Sequence, residues 1–247
     1  MELIDVILFI AAAVCGYLVC GINPAIVISK LVYKKDIREC GSGNAGFTNF
    51  KRSFGHKWAW WVLLFDLLKA GVVIATFAIL FRYFSNFAIA PWEGDAFRFG
   101  AAYTGFFCVL GHSFPAWYKF KGGKGFLVTL SLVWFIDWRI GIVGLAIFLV
   151  LLFTVNYMSL ASIVSMLTCP VILLISECVE SSMPNHGFRA IEVAIICLYA
   201  GAVIFMVARH WQNIVRLATG QEKKFYLFGK KSKNPVEQQS APAEEQK

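Results

Sequence analysis

The chain has 247 residues, 58% of them hydrophobic and 15% charged, with a mean hydropathy of +0.65. A soluble domain carries about 25% charged residues, so this composition excludes an ordinary soluble globule. The net charge of +8 then reports topology and anion sites. With no aromatic-and-basic strand platform and no zinc spacing, no nucleic acid partner and no metal is expected.

The apolar residues fall in blocks near the ~20 residues that a membrane helix needs. In chain order the predicted spans are 3–28, 58–81, 99–117, 125–136, 140–156, 158–176 and 190–208. Asp137 and Asn156 split the long apolar run between 126 and 176 into three, of which 125–136 is the shortest. The first block follows Met1-Glu2 without a basic n-region, so it reads as a span and not a cleaved signal. The expected fold is all-α: a polytopic protein of seven transmembrane helices over residues 1–229. A tail at 230–247, KKSKNPVEQQSAPAEEQK, lacks apolar periodicity and reads as disordered. The seven cysteines include no CxxC and mostly sit in apolar blocks, as small buried hydrophobes.

Orientation follows from the basic residues. Of 23 Lys and Arg, 18 lie in the loops at 30–57 and 119–124 and in the C-terminal segment from 209 onward. The other side holds Arg82, Arg98, Arg139 and Arg189, and Lys69 lies within a span. The positive-inside rule therefore places the N-terminus outside and the C-terminus in the cytoplasm.

Three polar constellations fall on that cytoplasmic side. The first is Gly41-Ser42-Gly43-Asn44-Ala45-Gly46-Phe47-Thr48-Asn49, with Lys51 and Arg52 behind it. Alternating glycines allow backbone N–H groups to converge on an anion. Ser42, Asn44, Thr48 and Asn49 add neutral partners, and the Arg52 fork suits phosphate. The second is Gly111-His112-Ser113-Phe114-Pro115 with Lys119, Lys121 and Gly122-Gly123-Lys124-Gly125. Lys119 fits a membrane anchor, but an anchor needs no glycines, and a Gly-rich stretch entering a helix offers free N–H groups to an anion. The third is Arg209-His210-Trp211-Gln212-Asn213 with Arg216. His210 and Asn213 share a helix face at i, i+3, and a histidine there suits acid–base or hydrogen-bonding work. Asp66 and Lys69, at i, i+3 inside a span, read at least as well as a neutralised structural pair as a functional one. The small residues of Tyr157–Ser162 read as close helix packing. The inventory suits phosphate-bearing substrates held by positioning and electrostatics.

In this order and between these spans, GSGNAGFTN…R, GHSFP…KFKGGKG and RH..NI.RL..G.E.K resemble the bacterial acyl-phosphate-dependent glycerol-3-phosphate acyltransferases (PlsY type), over residues 21 to 225. The resemblance implies transfer of a fatty acyl group from acyl phosphate to the 1-hydroxyl of glycerol 3-phosphate, giving lysophosphatidic acid and phosphate. It implies no cofactor, no metal and no acyl-CoA donor, and a place in the bacterial inner membrane among membrane lipids. It makes Ser42, Arg52, Lys124, His210 and Asn213 the catalytic candidates. The substrate-binding set is Gly41, Gly43, Asn44, Gly46, Thr48, Asn49, His112, Lys121, Gly122, Gly123, Gly125 and Arg216. The family often has Arg-Glu between that His and Asn, where this chain has Trp211-Gln212, while Glu222 downstream matches a commonly acidic position. An organic-phosphate transporter or channel is the rival reading, disfavoured by so few intramembrane charges and by the lack of paired halves.

Overall fold

Asn23-Pro24 decides where the first helix ends. In the computed structural model, which describes residues 2–85, 93–183 and 189–227, α1 covers Leu3–Gly21 and a new helix, α2, covers Pro24–Tyr33. The Asn23 side chain caps α2 by accepting from the Ile26 N–H, and proline occupies its first position. The predicted span 3–28 is therefore two helices with a polar break at Ile22-Asn23.

Short α3 (Phe47–Phe54) follows the glycine-rich loop, and α4 (Ala59–Phe84) is the longest helix described. α5 (Glu93–Ser113) starts earlier and ends earlier than the predicted 99–117, because Asp95 and Arg98 find ion-pair partners inside the bundle. The loop at 114–125 leads to α6 (Phe126–Ile136). Asp137 caps α7 (Trp138–Val155), and Asn156, at φ 60°, ends it. α8 (Met158–Ser181), α9 (Ala190–Ala208) and α10 (Trp211–Ala218) complete the described helices. Every regular element among the described residues is helical. The 230–247 tail and residues 86–92 of the predicted outer segment lie outside the described residues.

α5 is the central helix, packed against α1, α4, α6 and α9. It can be central because its contact positions are small. A Cβ at Gly111 would overlap the backbone of Tyr17 on α1, and one at Gly105 would overlap Leu132 on α6. Outward-facing positions are apolar, with Val72, Val150 and Ile204 among the exposed residues. That is the reverse of a soluble surface. Among the described residues, five segments have the length and composition to cross a membrane: Leu3–Tyr33, Ala59–Phe84, Trp138–Val155, Met158–Ser181 and Ala190–Ala208.

Asp66 and Lys69 form the expected neutralised pair, 2.9 Å apart, which also locks helices together. Lys69 Nζ donates to the Ile22 carbonyl at the α1–α2 break (2.8 Å) and lies 3.2 Å from His112 Nδ1 on α5. The cysteines of the described chain are free thiols, three of them buried.

Candidate functional site at the meeting of three motifs

The three polar constellations converge on one cavity of about 1090 Å³. Ser42, Arg52, Lys124, His210 and Asn213 all line it, with Gly41, Asn44, Gly46, Thr48, Asn49, His112, Gly125 and Arg216. Gly43, Lys121 and Gly122 line a neighbouring cleft instead. Gly123 is buried beside His112.

Local structure explains the first motif. Gly41 and Gly43 take left-handed φ values of 58° and 72°, which glycine adopts without strain. The loop so formed wraps around Asn49. Its Oδ1 accepts from the Ser42 N–H (2.9 Å), and its Nδ2 donates to the carbonyls of Cys40 (2.9 Å) and Asn44 (3.0 Å). Asn49 is thus a brace for the loop, its amide engaged with the backbone, rather than a free ligand. The Gly43 and Gly46 N–H groups donate to Cys40 and Asn44 carbonyls. The expected cradle of backbone donors is therefore narrower: Ser42, Gly43 and Gly46 give their N–H groups to the loop itself.

The second motif corrects the reading of its glycines in the same way. The Gly122 N–H donates to the Ser113 carbonyl (3.2 Å) and the Gly123 N–H to that of His112 (3.1 Å). Neither is available to an anion. Their lack of a Cβ is what matters: at Gly122 it would overlap the His112 carbonyl, at Gly123 the His112 ring. The loop thereby lies flat on the end of α5 and aims Lys124 into the cavity. Gly125, at φ 89°, turns the chain into α6, whose first-turn N–H groups have no intrahelical acceptor.

The third motif meets the second directly. Lys124 Nζ donates to Asn213 Oδ1. Asn213 Nδ2 in turn donates to Glu222 Oε1 (2.7 Å), which also accepts from Ser159 Oγ (2.7 Å). Arg216 Nε donates to the other carboxylate oxygen (2.8 Å). Glu222 is therefore the hub that orients Asn213 and Arg216, a role the sequence marked only as an acidic position. Ser159, expected as helix packing, belongs to this network as well. No local signal marks it, since it reaches Glu222 across 63 positions.

Burial and charge set the protonation states. Burial, reinforced by the nearby Arg216 charge, pushes Lys124 down to about 8, with Glu222 opposing. Burial and the Lys124 charge push His210 down to about 4, so its ring is neutral at physiological pH. The His210 Nδ1 lies 2.9 Å from the Met206 carbonyl and must donate to it, leaving Nε2 as an acceptor. Burial would raise Glu222, but hydrogen bonds from Ser159, Arg216 and Asn213 outweigh it and hold the carboxyl below its usual range.

A strap closes one side. The Phe225 N–H donates to the Asn156 carbonyl (2.7 Å), and its ring is buried against Phe47. Arg52 Nη2 donates to the Lys223 and Lys224 carbonyls (3.0 and 3.3 Å). Lys51 Nζ donates to those of Tyr226 and Leu227 (2.8 and 2.7 Å). Lys223 and Lys224 line the cavity, whereas Phe47, Phe126, Leu127 and Met158 supply apolar wall. No group of His, Cys, Asp and Glu suited to a metal occurs among the described residues.

Residues 10–220 match the family described as glycerol-3-phosphate acyltransferase. The chain is 31% identical to a glycerol-3-phosphate acyltransferase of Ureaplasma urealyticum, over 94% of this chain and 96% of that protein. It is 35% identical to the Mycoplasmopsis synoviae protein of the same name, over 85% and 91%. Its fold is similar to the crystal structure of PlsY, an integral membrane glycerol 3-phosphate acyltransferase, in its glycerol 3-phosphate form. The TM-score there is 0.72 at 28% identity, covering 88% of this chain and 96% of that one. The lysophosphatidic acid form gives 0.68.

Proposed function

The chain belongs to the glycerol-3-phosphate acyltransferase family, and from that premise we propose that its cavity moves a fatty acyl group from acyl phosphate to the 1-hydroxyl of glycerol 3-phosphate. It is an integral membrane enzyme of phospholipid synthesis, acting on glycerol 3-phosphate. The acyl-phosphate donor and the residue roles are our reading. The single observation that carries it is the convergence of Arg52, Lys124 and Arg216 with His210 and Asn213 on one cavity. The transporter reading is disfavoured by the match of residues 10–220 to an acyltransferase family.

In this reading Arg52, Lys124 and Arg216 hold the two phosphate groups, with Ser42 and Thr48 as hydroxyl partners. The hydroxyl oxygen of glycerol 3-phosphate bonds to the acyl carbon while the bond from that carbon to the phosphate oxygen breaks. Because His210 Nε2 is an acceptor, it takes a hydrogen bond from the attacking hydroxyl and cannot polarise the acyl carbonyl. With its basicity so far depressed it is a poor proton store, and the hydroxyl proton passes to the leaving phosphate. Lys124 and the α6 N-terminus offset charge on that group. The apolar wall at Phe126, Leu127 and Met158 takes the start of the acyl chain. One domain, residues 1–229, does all of this.

We place seven helices across the bacterial inner membrane, α5 and α6 joining the five long apolar segments, with the N-terminus outside and the site facing the cytoplasm. α6 covers only about 16 Å at 1.5 Å per residue, against a hydrocarbon core of about 30 Å. The shortfall brings an end of α6 within reach of the acyl chains. Purified protein given acyl phosphate and, separately, acyl-CoA tests the donor. Lysophosphatidic acid from the first alone is the expected result, and equal use of both sinks the proposal.

A further inference from the structure

Beside the cavity lies a second cleft of about 730 Å³, sharing Glu39, Ser42, Asn44, Lys124 and Arg216 as a common wall. Its remaining cations, Arg38, Lys119, Lys121 and Arg209, come from three separate chain segments. Two acids also line it, Asp36 and Glu39. Asp36 is neutralised by Arg38 (2.7 Å) and Lys30 (3.2 Å), so the cleft keeps a positive excess.

Three features separate this cleft from a scatter of membrane-anchoring lysines. First, the Arg209 guanidinium is fixed 4.8 Å over the Phe114 ring, with Nη2 donating to the Gly123 carbonyl (3.5 Å), while its buried Nε has no hydrogen-bond partner among the described residues. Second, Lys119 and Phe120 are consecutive non-glycine residues in left-handed backbone, at φ 55° and 57°. Such strain persists only where the surroundings impose it. Here the Phe120 N–H is held by the Pro115 carbonyl (3.0 Å) and the Lys121 N–H by that of Tyr118 (3.2 Å). Third, the rim is apolar: Phe120 is 59% exposed and Trp211 66%. Trp211 and Val215 share the exposed face of α10, opposite Asn213, the pattern of a helix lying in the membrane interface.

We infer that this cleft binds the phosphate headgroup of an anionic membrane phospholipid, with Phe120 and Trp211 resting among the upper acyl chains. A zwitterionic headgroup fits poorly, since its own cation would face Lys119, Lys121 and Arg209. The inference rests on the proposed orientation, which puts this face at the cytoplasmic leaflet. The headgroup is a bound ligand and not a reactant, held in a cleft that shares Lys124 and Arg216 with the substrate cavity.

The test is lipid retention by the purified full chain, read by native mass spectrometry in detergent supplied with phosphatidylglycerol or phosphatidylcholine. It needs no turnover, so its failure is distinct from a failure of the acyltransferase reading. The wild type should retain phosphatidylglycerol in preference. Each cation lost near an anionic headgroup weakens binding roughly fivefold, so Lys119→Gln/Arg209→Gln should retain about twenty-five-fold less. Lys119→Gln/Lys121→Gln, which leaves Arg209 packed on Phe114, should lose a similar amount and guards against misfolding of the first variant. Unchanged preference in both variants overturns the inference. So does displacement of the lipid from wild type by inorganic phosphate alone, which would make this a free-phosphate site.

Discussion

Lys124, on the loop before α6, donates to the side-chain oxygen of Asn213 on α10, and Asn213 passes the constraint to Glu222. The hub is a carboxylate with more donors around it than a neutral amide can satisfy. Glu222→Gln replaces one acceptor oxygen by an NH2 that must face either Arg216 or the Ser159–Asn213 pair. Charge-assisted hydrogen bonds contribute about 1.5–3 kcal/mol each, so kcat/KM should fall roughly tenfold to a hundredfold while the protein remains folded. Steady-state kinetics with glycerol 3-phosphate varied would show it, and an unchanged kcat/KM would remove Glu222 from the positioning machinery.

The depressed Lys124 makes a pH prediction with a definite sign. Below about 8 the ammonium is charged and holds phosphate; above it the charge is progressively lost. KM for glycerol 3-phosphate should therefore rise on the alkaline side, with a midpoint near pH 8. His210, already neutral above about 4, adds no titration between pH 5 and 8. A Lys124→Ala enzyme should lose the alkaline limb together with about a hundredfold or more in kcat/KM. A limb that survives in this variant must be assigned to another group.

The strap gives a third prediction. Phe225 is its buried anchor, and Arg52 and Lys51 hold its carbonyls. Phe225→Ala should release residues 221–227 and carry Glu222 away from Ser159 and Asn213. Trypsin cleavage after Lys223 and Lys224 should accelerate, and kcat/KM should drop about tenfold or more, with helix content by circular dichroism unchanged. Because Arg52 must trade strap carbonyls for substrate phosphate in the proposed reaction, glycerol 3-phosphate should alter the wild-type cleavage rate. A Phe225→Ala protein as resistant as wild type would show that the strap is held by its cations alone.

The sequence made the helical plan legible because membrane helices announce themselves by apolar length. It also marked the three motifs, whose glycines, amides and cations have no packing use in a lipid-facing run. It did not reveal how those groups are spent. The glycines at 122 and 123 looked like N–H donors, yet their donors close backbone bonds and their missing Cβ atoms admit His112. Asn49 looked like a ligand and is a loop brace. The break at Asn23-Pro24 was hidden because both flanks are apolar. Glu222 and Ser159 were undervalued because their partners are distant in sequence and are joined only by the return of the strap across the cavity.

The end of the bundle away from the cavity holds a separate charge network. Arg98 on α5 donates to Glu177 on α8 (3.0 Å), to Glu192 on α9 (2.8 Å) and to the Ile136 carbonyl at the end of α6 (3.1 Å). Arg189 joins it through Asp95 and Glu192. One guanidinium thus ties four helices, which explains why α5 can begin with charged residues where the sequence suggested loop. Removing it leaves Glu177 without its cation beside Glu192, which keeps only Arg189. Breaking such a pair costs about 3–5 kcal/mol. Arg98→Ala should accordingly lower the unfolding temperature in detergent by roughly 5–15 °C. Catalysis should be spared: Arg98 lies 14 positions from His112 on the same helix, about 21 Å at 1.5 Å per residue. Protein that survives purification at low temperature should therefore keep a near-normal KM for glycerol 3-phosphate. A strongly raised KM at full stability would mean that the network acts on the cavity through α5 and not through the fold.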